Sequence, residues 1–325
     1  MSRSLALRKS IRNAMVGLAL ASVGVLPSWA ERYASFVIDV DSAEVLHARN
    51  ADAPRYPASI TKVMTLYMVF DALKSGDLML SDEIIVSSNA ANQPPSKLNL
   101  RPGSTISVEE AIHALVTKSA NDVAVVLAER LGGNESRFAA LMTAKARQLG
   151  LENTRFKNAS GLPDAEQLST ARDLARLGEA ILFDHADYYD YFATTEFAYG
   201  RAKYKNHNKL LGEVRGVDGI KTGYTRASGY NLLASAERDG HRVIAVMLGG
   251  STSRSRNNHV TDLLEAAFDV IETEATDQEP GLRTRIAFSQ LRGMTTDDLN
   301  AIQLGEIGLG DHNDEALLEQ GSTAQ

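Results

Sequence analysis

Cysteine is absent from the 325 residues. Its absence removes disulfides, thiolate metal sites and cysteine nucleophiles together, but leaves the compartment open, because an oxidising environment permits disulfides without requiring them. Positive charge is in short supply: 34 lysines and arginines face 41 acidic residues, a net charge of −7. A general nucleic-acid or anionic-membrane binder would carry a basic surface instead. Seven histidines include no H-x-x-x-H pair, so no metal or other cofactor is called for. Beyond the first thirty residues no apolar run reaches the ~20 residues that span a bilayer. What is present, 44% apolar and 23% charged residues, suits an ordinary globular chain with a sizeable core. That excludes a disordered tail protein, a disulfide-stapled mini-domain and a collagen-like fibre.

The first thirty residues have a different character. Arg3, Arg8, Lys9 and Arg12 are followed by a mostly apolar run over 14–26, closed by Pro27 and by Ser28-Trp29-Ala30. Positive start, short apolar middle and small residues before a cleavage point are the layout of a secretory signal peptide. The expected division is a leader over 1–30, a main folded domain over 31–274 and a partly unstructured tail over 275–325. The tail has few large apolar residues to offset ordering entropy and too little basic charge for an amphipathic membrane anchor. An exported, freely diffusing protein is therefore expected.

Between leader and tail the patterning changes twice. Runs over 34–40 and 45–48 read as an N-terminal hairpin. Apolar periodicity predicts helices over 59–73, 108–118, 121–131, 136–149 and 171–182. Ser107 and Glu110 form a capping box, and Thr170 caps the last of these helices with Asp173 in its first turn. Strands follow over 219–221, 229–237 and 242–248, the last two joined at Asp239-Gly240, and a final helix is predicted over 258–274. Strands from both ends with a helical block between them predict one antiparallel sheet flanked by helices, an α/β (α+β) fold with a helical subdomain.

Three short constellations carry chemistry. Ser59 and Lys62 are one helical turn apart, so hydroxyl and amine share a face. A serine needs a neighbouring base before it attacks, and a lysine becomes that base when burial or a nearby cation lowers its pKa. Ser119 and Asn121 fall in the break between two helices, where a hydroxyl and an amide can face a cleft. Lys221, Thr222 and Gly223 lie on a predicted strand, followed by Tyr224, and such an edge suits capture of a carboxylate. Singly, each has a plain structural alternative: capping for Ser59, Ser119 and Asn121, an edge lysine with a turn glycine for the third group. His113 and His207 are expected to be structural or peripheral.

Together, in this order, the S-x-x-K, S-x-N and K-T-G boxes resemble those of penicillin-binding proteins, and the chain resembles the low-molecular-weight D-alanyl-D-alanine carboxypeptidase family. The resemblance runs over about 33–271. It includes Tyr56-Pro57-Ala58-Ser59-Ile60-Thr61-Lys62, Lys118-Ser119-Ala120-Asn121-Asp122, Ser169-Thr170-Ala171-Arg172-Asp173, Val217-Asp218-Gly219-Ile220-Lys221-Thr222-Gly223 and Ser228-Gly229-Tyr230-Asn231-Leu232. It implies a β-lactamase/DD-peptidase-like fold and a serine peptidase of peptidoglycan stem peptides that β-lactams acylate. It implies Ser59 as nucleophile, Lys62 as its base and Ser119 as a proton relay held between Lys62 and Lys221. Asn121 would bond the substrate backbone, Ser59 and Tyr224 would supply oxyanion-hole N–H groups, and Thr222 with Arg256 would hold the terminal carboxylate. Arg254 is the alternative arginine under a shifted alignment.

The same boxes also suit an endopeptidase cutting cross-links, a class A-like β-lactamase, or an idle peptide- or β-lactam-binding protein. Ser-Ala-Asn in the second box favours the carboxypeptidase over the lactamase. The segment Glu166-Gln167-Leu168-Ser169 lacks the asparagine of the lactamase loop that activates the deacylating water.

Overall fold

The computed structural model describes residues 32–275. The expected leader over 1–30 and residues 276–325 of the expected tail lie outside the described residues. The N-terminal hairpin forms as β1 (Ala34–Asp39) and β2 (Val45–Arg49). After a helical block, β7 (Val217–Thr225), β8 (Gly229–Arg238) and β9 (His241–Gly250) complete a five-stranded antiparallel sheet of order β2-β1-β9-β8-β7. The two ends of the chain meet where β1 pairs with β9, Val37 opposite Ala245. At the other rim, among the described residues, β7 has only β8 beside it, with Lys221 opposite Leu233 and Thr222 opposite Leu232. The third box thus lies on a sheet edge.

Both faces of the sheet are covered, which is why β8 and β9 read as nearly unbroken apolar runs rather than alternating ones. On one face Val37, Leu232, Ala234, Val243 and Ala245 pack against Val260, Leu263, Leu264 and Ala267 of the last helix, α8 (Ser253–Ala275). Arg238 on β8 also grips Glu265 of that helix with two bonds of 2.8 and 2.7 Å. On the other face Phe36, Ile38, Leu233, Ile244 and Val246 join the larger core formed by the helical block. That block comprises α1 (Thr61–Ser75), α2 (Ser88–Ala91), α3 (Val108–Val116), α4 (Asn121–Gly132), α5 (Glu135–Gln148), α6 (Ala171–Asp184) and α7 (Ala186–Tyr189). α1 is buried on nearly every side, as a helix through the middle of a domain must be. The capping box of Ser107 with Glu110 and the Thr170 cap on Asp173 N–H are both formed.

The differences from the sequence-based expectation are local. Ser59 lies in a 3-10 turn, Ala58–Ile60, and α1 proper begins at Thr61. α8 begins five residues before the predicted start because Ser255 and Thr252 exchange bonds that organise its first turn. Two small hairpins were not expected: β3 (Glu83–Ile85) with β4 (Thr105–Ser107), and β5 (Glu196–Tyr199) with β6 (Ala202–Lys205). Their strands are three or four residues long, too short for an alternation pattern to stand out. Among the described residues no helix is long and apolar enough to cross a membrane.

An aromatic cluster fastens α1 to the segment after α6: Phe70 stacks on Tyr188 at 5.1 Å and meets Phe192 edge-on at 6.2 Å. Phe70 is fully buried. Phe70→Ala is expected to lower stability by about 3–5 kcal/mol, seen as a lower urea midpoint with an unchanged slope.

Candidate active site

The turn that carries Ser59 is fixed from three directions. Asn231, fully buried on β8, donates its amide to Tyr56 O at 2.9 Å and Pro57 O at 3.2 Å, and accepts Gly249 N–H at 3.0 Å. From the edge of the sheet Gly223 approaches so closely that a Cβ there would lie 2.9 Å from Pro57 O and 3.1 Å from Ser59 N. From the opposite side Gly161, with φ +84°, leaves no room for a side chain, since its Cβ would fall 1.9 Å from Ala58 O. Ala58 itself has φ +50°, a conformation that non-glycine residues adopt only where surrounding structure enforces it. The result is a half-buried Ser59 whose hydroxyl faces an open cleft of about 460 Å³.

Lys62 is fully buried beneath this hydroxyl. Its Nζ lies 3.1 Å from Ser59 Oγ and donates to Asn121 Oδ1 at 2.8 Å and to Ser160 O. Burial first, then the charge of Lys221, pulls its pKa well below that of an ordinary lysine, against a smaller opposing effect of Asp122. Lys221, 1% exposed, donates to Thr222 O at 3.2 Å. Burial and then Arg256 draw its pKa down to about 7. Among the described residues no carboxylate forms an ion pair with either lysine. Asp122, the buried anion in this region, spends its oxygens on the N–H groups of Leu98, Leu100 and Val123 at 3.0–3.1 Å.

Ser59, Ser119, Asn121, Thr222, Gly223, Tyr224 and Arg256 all line the one cleft. Ser119 is 4% exposed, has φ +57°, and its Oγ has no hydrogen-bond partner among the described residues. It is therefore not bonded to Lys62 or Lys221, as the sequence-based reading expected, but offers an unsatisfied hydroxyl into the cleft. Asn121 differs too. Its amide is engaged inside the protein, Oδ1 to Lys62 and Nδ2 to Pro94 O at 2.9 Å. Arg256, buried, donates to Asn231 O at 2.9 Å, Asn257 Oδ1 at 2.8 Å and Ser253 Oγ at 3.2 Å. Burial lowers its pKa to about 10. Arg254 is exposed and lies outside the cleft wall, so the geometry singles out Arg256. The Tyr224 side chain, 54% exposed, leans on Tyr230 with ring centres 4.3 Å apart.

Several cleft residues had no signal in the sequence. Ser160 acts through its carbonyl, and Asn158 shapes that loop by accepting from Ser160 N and Gly161 N. Ser96 and Lys209 reach the wall from loops. His207, expected to be structural or peripheral, is a wall residue. Burial and four lysines, Lys221, Lys118, Lys209 and Lys62, push its pKa down to about 4. His113 stacks on Phe197 at 5.5 Å, away from the cleft. Among the described residues no acidic one lines the cleft, whereas Lys209 and Arg256 do.

A family model described as D-alanyl-D-alanine carboxypeptidase (peptidase S11) matches residues 28–252. The chain belongs to the D-alanyl-D-alanine carboxypeptidase family. Similar members are D-alanyl-D-alanine carboxypeptidase DacF of Bacillus subtilis, 36% identical over 75% of this chain and 64% of that protein, and DacC of Escherichia coli, 38% identical over 73% and 61%. The chain thus spans less than two thirds of the length of these curated relatives. Penicillin-binding protein 5 of Haemophilus influenzae superposes with a TM-score of 0.70 at 36% identity, over 72% of this chain and 70% of that one. Penicillin-binding protein D2 of Listeria monocytogenes, in a cefotaxime-bound form, superposes with a TM-score of 0.64 at 32% identity, over 72% and 96%. The family match ends before Arg256, which the structure nonetheless brings into the same wall.

The family's second box is held in place by Asp122. Asp122→Ala would strand the buried N–H groups of Leu98 and Leu100 and release Pro95 and Ser96 from the cleft wall. A stability loss of about 3 kcal/mol is expected, read as a lower thermal midpoint.

Proposed function

We propose that this chain is a serine-type D-alanyl-D-alanine carboxypeptidase, exported by its N-terminal leader, with residues 31–274 as the catalytic domain, that trims pentapeptide stems of peptidoglycan in the periplasm. The observation that carries this is the Lys62 amine beside Ser59. A neutral amine has two N–H bonds and one lone pair. Asn121 Oδ1 and Ser160 O can only accept, so they take both hydrogens. The lone pair is left for the Ser59 hydroxyl 3.1 Å away, and burial beside a second cation favours this neutral form.

In the proposed cycle Ser59 Oγ attacks the carbonyl carbon between the terminal D-alanines while its proton passes to Lys62 Nζ. The oxyanion takes hydrogen bonds from the backbone N–H groups of Ser59 and Tyr224, the kind of donor whose removal costs ~10²–10³ in rate. The C–N bond then breaks, and the leaving amine receives the proton through Ser119, whose unpartnered hydroxyl stands at the cleft wall. Water later splits the acyl-enzyme, returning Ser59 and releasing the shortened stem. Thr222, Lys221 and Arg256 hold the terminal carboxylate, and Gly223 admits the substrate strand against the nucleophile's turn. β-Lactams enter the same first step as covalent inhibitors. Glu166 does not serve the cleft as a lactamase base would: it lies at the surface, bound to Lys157 at 2.7 Å and Arg155 at 3.2 Å.

Labelled penicillin should form a long-lived adduct on Ser59, absent in Ser59→Ala, and a pentapeptide stem should release free D-alanine. Cleavage of a cross-linked dimer without that release would identify an endopeptidase instead. Failure of folded protein to form the adduct would overturn the acyl-enzyme.

The pH profile of kcat/KM follows from the two lysines. Lys62 works as a base only when deprotonated, so the rate rises with pH through its depressed pKa. Lys221 binds a carboxylate only when protonated, so the rate falls as pH passes about 7, giving a bell. In Lys221→Arg, where the side chain stays charged, the descending limb should move to higher pH.

A further inference from the structure

The Lys62 amine keeps its lone pair for Ser59 only while Asn121 Oδ1 and Ser160 O take its hydrogens. Asn121 is braced by Pro94 O. Ser160 O is a main-chain carbonyl in the stretch 158–162, which belongs to no helix or strand. Asn158 gives this loop its internal shape, its Oδ1 accepting Ser160 N–H at 3.2 Å and Gly161 N–H at 2.8 Å. In a trans peptide the C=O and the following N–H point in opposite directions. The bond from Gly161 N–H therefore turns Ser160 O away from Asn158 and toward the lysine. These contacts lie within the loop, and its register against α1 is set elsewhere.

That register is set at Ala159, which is fully buried. Its carbonyl accepts Thr65 Oγ1 at 2.7 Å, and its N–H donates to Glu135 Oε1 at 3.2 Å. Thr65 is fully buried in α1, one turn beyond Lys62, so the two side chains share a face of the helix. A threonine inside a helix commonly turns its hydroxyl back onto the carbonyl four residues earlier. Thr65 instead donates across to the loop. Base and acceptor are thus referred to a single helix: Lys62 donates to Ser160 O, and Thr65 donates to the carbonyl just before it. Glu135, half-buried in the first turn of α5, holds the same alanine through its N–H. Neither residue lines the cleft, so each acts through the loop.

Resting on the carboxypeptidase reading above, we propose that Thr65 is a positioning residue for the base, assisted by Glu135: by holding Ala159 it keeps Ser160 O on the amine, and so keeps the lone pair of the amine on Ser59. Without the hydroxyl the carbonyl drifts from Lys62. The N–H it releases then competes for Ser59 Oγ, which is donation in the wrong direction for removing a proton. An acceptor also favours the ammonium over the neutral amine, so its loss lets Lys62 shed its proton more readily. The variant therefore carries a distinctive pair of changes: a poorer base that becomes available at lower pH.

Acylation of the full chain by a fluorescent penicillin tests this, its second-order rate constant being measured across pH. Thr65→Val replaces the hydroxyl with a methyl group of similar size, and Thr65→Ser keeps the hydroxyl. In Thr65→Val the rate constant should fall about 10–100-fold, while the ascending limb of the profile moves to lower pH by about one unit. Thr65→Ser should restore both. If Thr65→Val does not fold, Glu135→Ala carries the same test from the other side of Ala159. Its restoring partner is Glu135→Gln, which keeps an acceptor for Ala159 N–H. A folded variant that acylates at the parent rate, or more slowly with the limb unmoved, overturns the assignment while leaving the carboxypeptidase reading intact. Absence of the adduct on Ser59 in the parent protein overturns that reading and this assignment with it.

Discussion

Two lysine ammonium groups are taken out of water in this protein without a carboxylate to meet them. An isolated buried charge is among the most expensive things a fold can contain, and the usual escape is to shed the proton. Lys62 follows that course, while Lys221 is brought only to about 7, each pushed down by its own burial and by a cation beyond it. The sequence of influence runs outward: Arg256 acts on Lys221, and Lys221 acts on Lys62. A group that is reluctant to hold a proton, placed against an alcohol, is what nucleophilic catalysis by serine needs. The buried anion that would have quenched the effect, Asp122, is occupied by three backbone N–H groups.

Much of the surrounding structure keeps acceptors aimed at that amine. Asn121 is turned toward it by Pro94 O. The Ser160 carbonyl is presented by a loop that Asn158 and Gln167 fold from within. The serine itself is clamped between the sheet edge and the same loop, at two glycines where any side chain would collide with residues 57–59. This close approach is possible because β7 has a free edge and Asn231, on the strand beside it, reaches past it to hold residues 56 and 57. Sheet topology and site geometry are in this sense one constraint: the C-terminal part of the sheet builds the rim against which the early Ser59 turn is pressed.

The sequence made much of this legible. Long periodic segments, the capping box and the cap at Thr170 announced the helices, and the turn at Asp239-Gly240 announced the last hairpin. The box residues could be named because their chemistry resides in side chains of recognisable type and spacing. What stayed hidden acts through the backbone or through tertiary approach. The Ser160 carbonyl has no residue signature, and Gly161 is one glycine among 24 until Ala58 O is seen beneath it. Asp122 looked like part of a motif rather than a clamp on a distant loop. His207 read as peripheral because nothing local predicts that the hairpin before it, too short to see, would carry it to the cleft. The Ser119 and Asn121 contacts differed because a proton relay and a substrate contact concern a complex, whereas the structure shows the arrangement that waits for one.

The unpartnered Ser119 hydroxyl is informative for that reason. A buried hydroxyl normally finds an acceptor or a donor, and leaving it without one costs free energy. Ser119 also sits at positive φ, a conformation that its neighbours must enforce. Two unfavourable features at one residue, in a wall otherwise well satisfied, indicate a position held for a ligand rather than for stability. In the proposed cycle the leaving amine is that ligand, and its arrival completes a hydrogen bond which the free protein lacks. Such a bond contributes as the amine departs, which is where an interaction must strengthen to accelerate the reaction. In that proposed cycle the cleft combines two complementary devices: an amine kept short of a proton on one side of the scissile bond, and an alcohol kept short of a partner on the other.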